Sequence, residues 1–441
     1  MDNHISDHTT IVSDAALKTA QSVDKDRQWS RLMKLAEIGA IPGGGVNRQS
    51  LSTEDRQARA LLVKWALARG FEPSVDDFGN LYVRRSGLNP EAPPILTGSH
   101  LDSQPSGGRF DGAYGVMAAL EVLEALSDSS VETEHPVDLV VWTNEEGSRF
   151  APGAMGSMVF TGRVSPQQWL DVTDDEGITL SQALTETLEA MPELPRRPFG
   201  FPVHAYIEAH IEQGPILEAE HLSIGVVTSI QGVRWFTVTI VGETAHAGTT
   251  PLKLRKDALQ EALAAIQVLN AFMNDPTDVL RFTVGRLVLE PNSHNSVPAL
   301  CRFTIDLRHP DPSVLRAKGD AIEGICVDAM RACTVQVTQN LELSSVAFPD
   351  AIVDAVQTSA QALLMGHRHM SSGAFHDASF LSTHCPSGMI FVPCAKGLSH
   401  NVAESISLDD AAAGTQVLAA TIVELSRASS FIEHRSPVDP E

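Results

Sequence analysis

The chain has 441 residues, 43% of them hydrophobic, and a formal net charge of −23, which leaves room for two or three domains with sizeable cores. Such acidity excludes nucleic acid as a partner, because phosphate contacts need clustered Lys and Arg, and it argues equally against docking on an anionic membrane. No apolar run approaches the ~18 residues of a membrane span. Five cysteines without CxxC spacing argue against a disulfide framework or a thiolate zinc site and point to a reduced, cytoplasmic compartment. With 16 histidines also present, the open question is whether some of the carboxylates hold cations.

In chain order, residues 1–28 are polar and read as a disordered or loosely attached leader. Leu61, Leu62, Trp65 and Leu67 then mark an amphipathic helix that Gly70 stops. Residues 94–97 and 137–142 are buried-strand candidates, and Val116, Ala119, Leu120, Leu123 and Leu126 recur at helical spacing between them. Strand, helix, strand suggests a βαβ unit and a largely parallel sheet, whose ligands bind beyond the carboxyl ends of its strands. The stretch 226–343 differs. Strand runs at 235–241, 282–289, 301–307 and 335–343 enclose helical patterns at 255–272 and 312–332, the β-α-β-β-α-β order of a ferredoxin-like domain. Helix-strand alternation resumes after Phe348, with 389–392 a buried strand. His367 and His369 read as a solvated helix end. The expected architecture is a mainly parallel α/β domain, 29–225 and 344–430, interrupted by a smaller α+β insert at 226–343.

The residues just past the predicted strands carry the chemistry. His100 closes a strand and has Asp102 two residues on, the pattern of a metal ligand with a carboxylate that orients it. Taken alone it reads equally as a surface His near a chance Asp. Asp111 stands where the Val116 helix begins and reads equally as a helix N-cap. Glu145 and Glu146 follow the 137–142 strand directly. Adjacent carboxylates point in different directions, so one can bind a cation while the other faces a bound water, which suits metal-assisted hydrolysis; an exposed acidic loop is the plain alternative. His210 and His400 complete a nitrogen and oxygen donor set for zinc, manganese or a similar divalent ion.

These stretches resemble the amidase branch of the dinuclear zinc exopeptidase superfamily, which includes N-carbamoyl-L-amino-acid hydrolases, β-ureidopropionases, allantoate amidohydrolases and ureidoglycolate hydrolases. The resemblance rests on GSHLDS (98–103), GGRFDGAYGV (107–116), NEEGSRF (144–150), HIEQGP (210–215), GETAHAGTTP (242–251), PNSHNSVP (291–298), DLRH (306–309), SGAFHDASF (372–380) and GMIFVPCAKGLSHNVAE (388–404). It implies two divalent ions, zinc or manganese with cobalt or nickel also accommodated, bridged by Asp111. His100 and His210 would hold one ion, and Glu146 and His400 the other. Glu145 would be the general base and Asp102 would orient His100. Gln213, His246, Asn295 and Arg308 match substrate-binding positions, His376 is a further pocket residue, and His246 would polarise the scissile carbonyl in a homodimer formed through the insert. His210 separates this branch from peptidase relatives, which carry a carboxylate there.

Each role has a physical basis and a plainer alternative. A ureido carbonyl is a poor electrophile, so attack needs an activated water and stabilisation of the developing oxyanion. Arg308 offers a planar fork for a substrate carboxylate, yet reads also as a surface ion-pair partner, and His246 as a loop residue. One departure stands out: Phe375 occupies a position that is glycine in the family pattern SGAGHDA, which bears on pocket size. The expected activity is hydrolysis of the carbamoyl C–N bond of an N-carbamoyl-L-amino acid, a small anionic ureide. Allantoate and β-ureidopropionate are the alternatives. A peptidase or aminoacylase, or a catalytically inactive binding protein, stands further off.

Overall fold

The computed structural model describes residues 12–428. Its strands in chain order are β1 (Glu72–Val75), β2 (Leu81–Arg85), β3 (Ile95–His100), β4 (Val137–Trp142), β5 (Ala205–Ile211), β6 (Ile224–Ile230), β7 (Gly232–Val241), β8 (Ala245–His246), β9 (Arg281–Glu290), β10 (Ser296–Val297), β11 (Leu300–His309), β12 (Thr334–Leu343), β13 (Val346–Ala347), β14 (His367–Ser372) and β15 (Ser387–Val392). The chain folds as two compact units. One comprises residues 12–228, Phe348–Met370 and 375–428; the other comprises Ser229–Ala347 with Ser371–Ala374.

In the first unit the strand order is β1-β2-β4-β3-β5-β15-β6, with β14 also on β6. β3 runs parallel to β4 and β5, and β15 runs parallel to β5, while the flanking strands are antiparallel. β3, β4, β5 and β15 are buried along their whole length, as expected of parallel strands covered on both faces. Their register is flush at the carboxyl ends: His100 lies opposite Trp142, and His210 opposite Phe391. β3 connects to β4 through the helix Ala113–Asp128 on one side and borders β5 on the other, so the strand order reverses beside it. That reversal opens the crevice in which such sheets bind ligands.

The helix Ala113–Asp128 is buried nearly throughout, because it lies against the sheet, the helix Lys25–Ala36 and the long helix Leu408–Arg427. Residues 12–28 therefore depart from the expected loose leader. Ser13 caps a helix over Asp14–Gln21 whose Ala16, Thr19 and Ala20 are buried against Leu408–Arg427, and Ser13 donates from its amide to Glu424 at 3.0 Å. The part of that expectation covering residues 1–11 falls outside the described residues. His367 and His369 also depart from expectation, since they open β14 rather than end a helix.

The second unit has the strand order β12-β7-β11-β9, antiparallel throughout, with helices Ala258–Phe272 and Pro312–Ala329 between strands as the ferredoxin-like reading predicts. Alternation along β7 and β11 turns Val238, Ile240, Phe303, Ile305 and Leu307 to a core shared with Leu269 and Ile322. All five cysteines are free thiols, and among the described residues no helix is long and apolar enough to cross a membrane.

The N-terminal packing has a direct consequence. Ala20→Asp puts a carboxylate into the seam with Leu408–Arg427 and should destabilise the first unit by about 3 kcal/mol or more; thermal denaturation followed by circular dichroism measures it.

Candidate metal centre

His100 ends β3 and His210 sits near the end of β5, on either side of the strand-order reversal, with ring centroids 6.0 Å apart. Between them the helix Ala113–Asp128 starts at Gly112, which takes a φ of 63° and provides no side-chain cap. A Cβ on Gly112 would come within 2.4 Å of the His100 ring, so only glycine lets the chain turn here beside the imidazole. Asp111 does not act as an N-cap. Its Oδ1 lies 3.2 Å from His210 Nε2 and 4.0 Å from His100 Nε2, and its Oδ2 lies 3.3 Å from His400 Nε2. His400 Nε2 is also 3.2 Å from Glu146 Oε2.

Two donor groups meet at Asp111, His100 with Asp111 and His210, and Asp111 with Glu146 and His400, and a third, Glu208 with His210 and His376, lies behind His210; in each the ligand atoms are within 4.8 Å of one another. Imidazole and carboxylate lone pairs aimed at each other across about 3.2 Å repel unless a proton or cation lies between them. The mixed nitrogen and oxygen set fits zinc or manganese, and a shared carboxylate fits a pair of ions. His100 and His210 are buried, whereas the His400 side chain is 52% exposed, so the cluster opens to solvent on the His400 side.

Glu145 is buried, with Oε2 3.4 Å from His100 Nε2. The loop bearing it is tightly made. Asn144 adopts a left-handed φ of 57°, and its amide holds Phe150 O at 2.7 Å and Pro152 O at 3.1 Å. Gln213 and His400 take the same backbone conformation, at φ 56° and 53°, which is uncommon for residues with a Cβ and concentrates at functional sites. Gln213 Nε2 donates to Asp111 Oδ2 and to Ser399 Oγ, both at 3.0 Å.

Asp102 differs from expectation. His100 Nδ1 faces the main-chain carbonyl of Asp102 at 2.9 Å, while the nearer carboxylate oxygen is 3.8 Å away. The carboxylate instead accepts the main-chain N–H groups of Glu145 and Glu146 at 3.3 and 3.1 Å. The tight turn after β3 brings the carbonyl back over the ring and leaves the side chain free to anchor the acidic loop.

Further polar groups complete the centre, Glu404 and Glu208 buried and Gln104 half-buried. Glu404 Oε1 accepts from the amides of Phe110 and Asp111 at 2.8 and 3.0 Å. Glu208 accepts from Ser99 Oγ at 2.7 Å and from the amide of Ala378 at 3.1 Å. Gln104 Nε2 donates to Glu146 Oε2 at 2.8 Å. Sequence reading had not singled these out. Glu208, two residues before His210 on a wholly buried strand, shares its face by the period of two, and that was the available signal.

Proton affinities reflect the crowding. Burial opposes charge on His210, but Asp111 outweighs it and raises the imidazole to about 9. The hydrogen bonds to Asp111 and then Glu146 carry His400 to about 10. Burial first, then Asp377 and Glu146, pushes the Glu145 carboxyl well above its ordinary range. Burial lifts Asp102 to about 6 and Glu404 to about 7. His376 is also buried, its ring edge-on to His210 at 4.5 Å, and burial followed by His210 holds it well below the usual histidine range. Phe375 beside it is half-buried and meets Phe380 edge-on at 6.4 Å.

The remaining predicted residues lie in the second unit. His246 on β8 pairs with Ser296 on β10, and the amide of Ala247 reaches Asn295 O at 2.9 Å. His246 Nδ1 accepts from the amides of Gly248 and Thr249 at 3.0 and 3.2 Å, which places the proton of the neutral ring on Nε2. Arg308 pairs through Nε and Nη2 with Asp306, both at 2.9 Å, and donates from Nη1 to Gly373 O at 3.0 Å. The end-on pair of Nη hydrogens still points away from Asp306, since a guanidinium carries five.

A profile of the Peptidase family M20/M25/M40 matches residues 96–424. The chain belongs to this family. Its relatives include the N-carbamoyl-L-amino-acid amidohydrolase of Rhizobium meliloti, 39% identical over 91% of this chain and 96% of that protein. The allantoate amidohydrolase of Escherichia coli strain K12 is 32% identical over 92% of this chain and 98% of that one. Among solved structures, an amidase of the hydantoinase/carbamoylase family from Burkholderia multivorans superposes with a TM-score of 0.85 at 43% identity, covering 92% of this chain and 98% of that one. Within the family, the nitrogen and oxygen cluster at the strand ends is the candidate metal centre.

Asp102→Ala removes the acceptor for two loop amides without touching a donor atom of either group. Zinc affinity, read by competition with a chromophoric chelator, should fall about 10–100-fold.

Proposed function

We propose that this protein hydrolyses the carbamoyl C–N bond of an N-carbamoyl-L-amino acid, releasing ammonia, carbon dioxide and the amino acid. The observation that carries the reading is the pair of donor groups joined at Asp111, with the buried Glu145 carboxylate beside them and relatives that act on carbamoyl amino acids. In this reading His100, Asp111 and His210 hold one divalent ion, and Asp111, Glu146 and His400 hold the other, zinc or manganese in both cases. Such ions, when bound, acidify water and polarise the ureido carbonyl.

The chain's own groups do the rest. Glu145 takes the proton of the attacking water at a carboxylate oxygen and returns it to the departing nitrogen. Asp102 holds the Glu145–Glu146 main chain in place. His246, with its proton on Nε2, donates to the carbonyl oxygen as negative charge develops there. Arg308, steadied by Asp306, presents its end-on pair of N–H groups to the substrate carboxylate. Asn295, Gln213 and His376 line the substrate without adding a fixed charge. A homodimer formed through the second unit and a cytoplasmic location belong to the same reading; exposed Leu263, Val268 and Phe272 on one helix of that unit and the five free thiols support them. Light scattering should return twice the chain mass.

The substrate is settled by ammonia release from N-carbamoyl-L-amino acids, allantoate and β-ureidopropionate, with added zinc or manganese. The allantoate-cleaving relative makes allantoate the competing outcome. Release from none of the three refutes the amidase reading. Glu145→Gln should keep bound metal and lose about 100- to 10,000-fold in turnover. Arg308→Ala should raise KM about 10- to 100-fold, the equivalent of one charged hydrogen bond, with little change in kcat.

A further inference from the structure

Arg48 is among the largest fully buried side chains of the protein, and its guanidinium spends its hydrogen bonds on main-chain carbonyls. Nε donates to Leu101 O at 2.7 Å, and Nη1 donates to Leu35 O at 3.2 Å and Ile38 O at 3.1 Å. Leu35 and Ile38 bracket the C-terminal end of the helix Lys25–Ala36, where the main-chain carbonyls carry partial negative charge. Leu101 lies between His100 and Asp102. The main chain of Arg48 grips the other side of Asp102: its amide donates to Ser103 Oγ at 2.9 Å, and its carbonyl accepts from the Ser103 amide at 3.0 Å.

Both neighbours of Asp102 are therefore held by one residue. That turn makes two contacts that define the centre: the Asp102 carbonyl faces His100 Nδ1, and its carboxylate takes the Glu145 and Glu146 amides. A buried cation is costly unless its donors are all used. Met at this position would take the guanidinium donors from the carbonyls of Leu101 and Ile38, while Leu35 O keeps the Ile38 amide, and would withdraw the positive charge that acts on Asp102 through space.

We propose that Arg48 is the positioning residue of the centre, coupling the helix Lys25–Ala36 to the turn that orients His100 and anchors the Glu145–Glu146 loop. The proposal rests on the dimetal reading above. Zinc affinity by chelator competition, with kcat and KM, tests it in Arg48→Met, Asp102→Ala and the double variant. Arg48→Met should weaken zinc about 10–100-fold and lower kcat with KM unchanged, and the double variant should bind within threefold of Asp102→Ala, because both act through one turn. Ala20→Asp, destabilised away from the centre, should hold zinc as wild type does. If Arg48→Met does not fold, Arg48→Lys carries the comparison, since it keeps a cation without the fork, and it should weaken zinc at least fivefold. Folded Arg48 variants that hold zinc within twofold of wild type, or losses that simply add in the double variant, overturn the role of Arg48. Wild-type protein that holds no zinc or manganese overturns the dimetal reading itself.

Discussion

The structure is governed by the burial of carboxylates at one end of a parallel sheet. Asp102, Asp111, Glu145, Glu208, Asp377 and Glu404 are all withdrawn from water, and an ionised carboxylate in such a place is unfavourable unless hydrogen-bonded, neutralised or paired. The groups nearest the centre meet different remedies. Asp102 and Glu404 are each solvated by two main-chain amides, and Glu208 by a hydroxyl and an amide. Asp111 accepts from Gln213 and Ser399 and also faces three imidazoles. The uncompensated negative charge is thereby concentrated around Asp111, Glu145 and Glu146, where cations have the most to gain.

The scaffold meets this constraint through backbone more than through side-chain bulk. Flush parallel strands deliver His100 and His210 at one level, and a glycine opens the start of the helix Ala113–Asp128 beside them. Left-handed residues at Asn144, Gln213 and His400 aim three further groups at the same point. Hydrogen bonds among the loops hold that unfavourable backbone, including the grip of Arg48 on the turn after β3. The second unit follows simpler rules, since alternation along its strands and two amphipathic helices account for its core.

Much of this was legible in residue pattern. The period of two in β7 and β11 and the intervening helical periods located the ferredoxin-like unit, and continuous apolar runs located β3, β4 and β15. The donor residues stood out because polar groups directly after buried strands have few structural reasons to be there. The helix Asp14–Gln21 was not legible: eight residues with a small-residue buried face carry almost no periodic signal, and its stability comes from packing on a helix some 400 residues away in the chain. Glu404 and Arg48 were equally silent, because nothing local distinguishes a buried charge from a surface one.

Sequence alone determined the family resemblance, the alternation of the two units and which ligand-type atoms follow the buried strands, all properties of local order and residue chemistry. Tertiary structure alone decided how those atoms are used. The Asp102 carboxylate holds the acidic loop instead of orienting His100, because the turn after β3 places the Asp102 carbonyl, and not the carboxylate, over the ring. The helix Asp14–Gln21 belongs to the first unit because its small residues fit a seam against the C-terminal helix Leu408–Arg427. Partners far apart in the chain set both outcomes, through directions and distances that residue order does not encode.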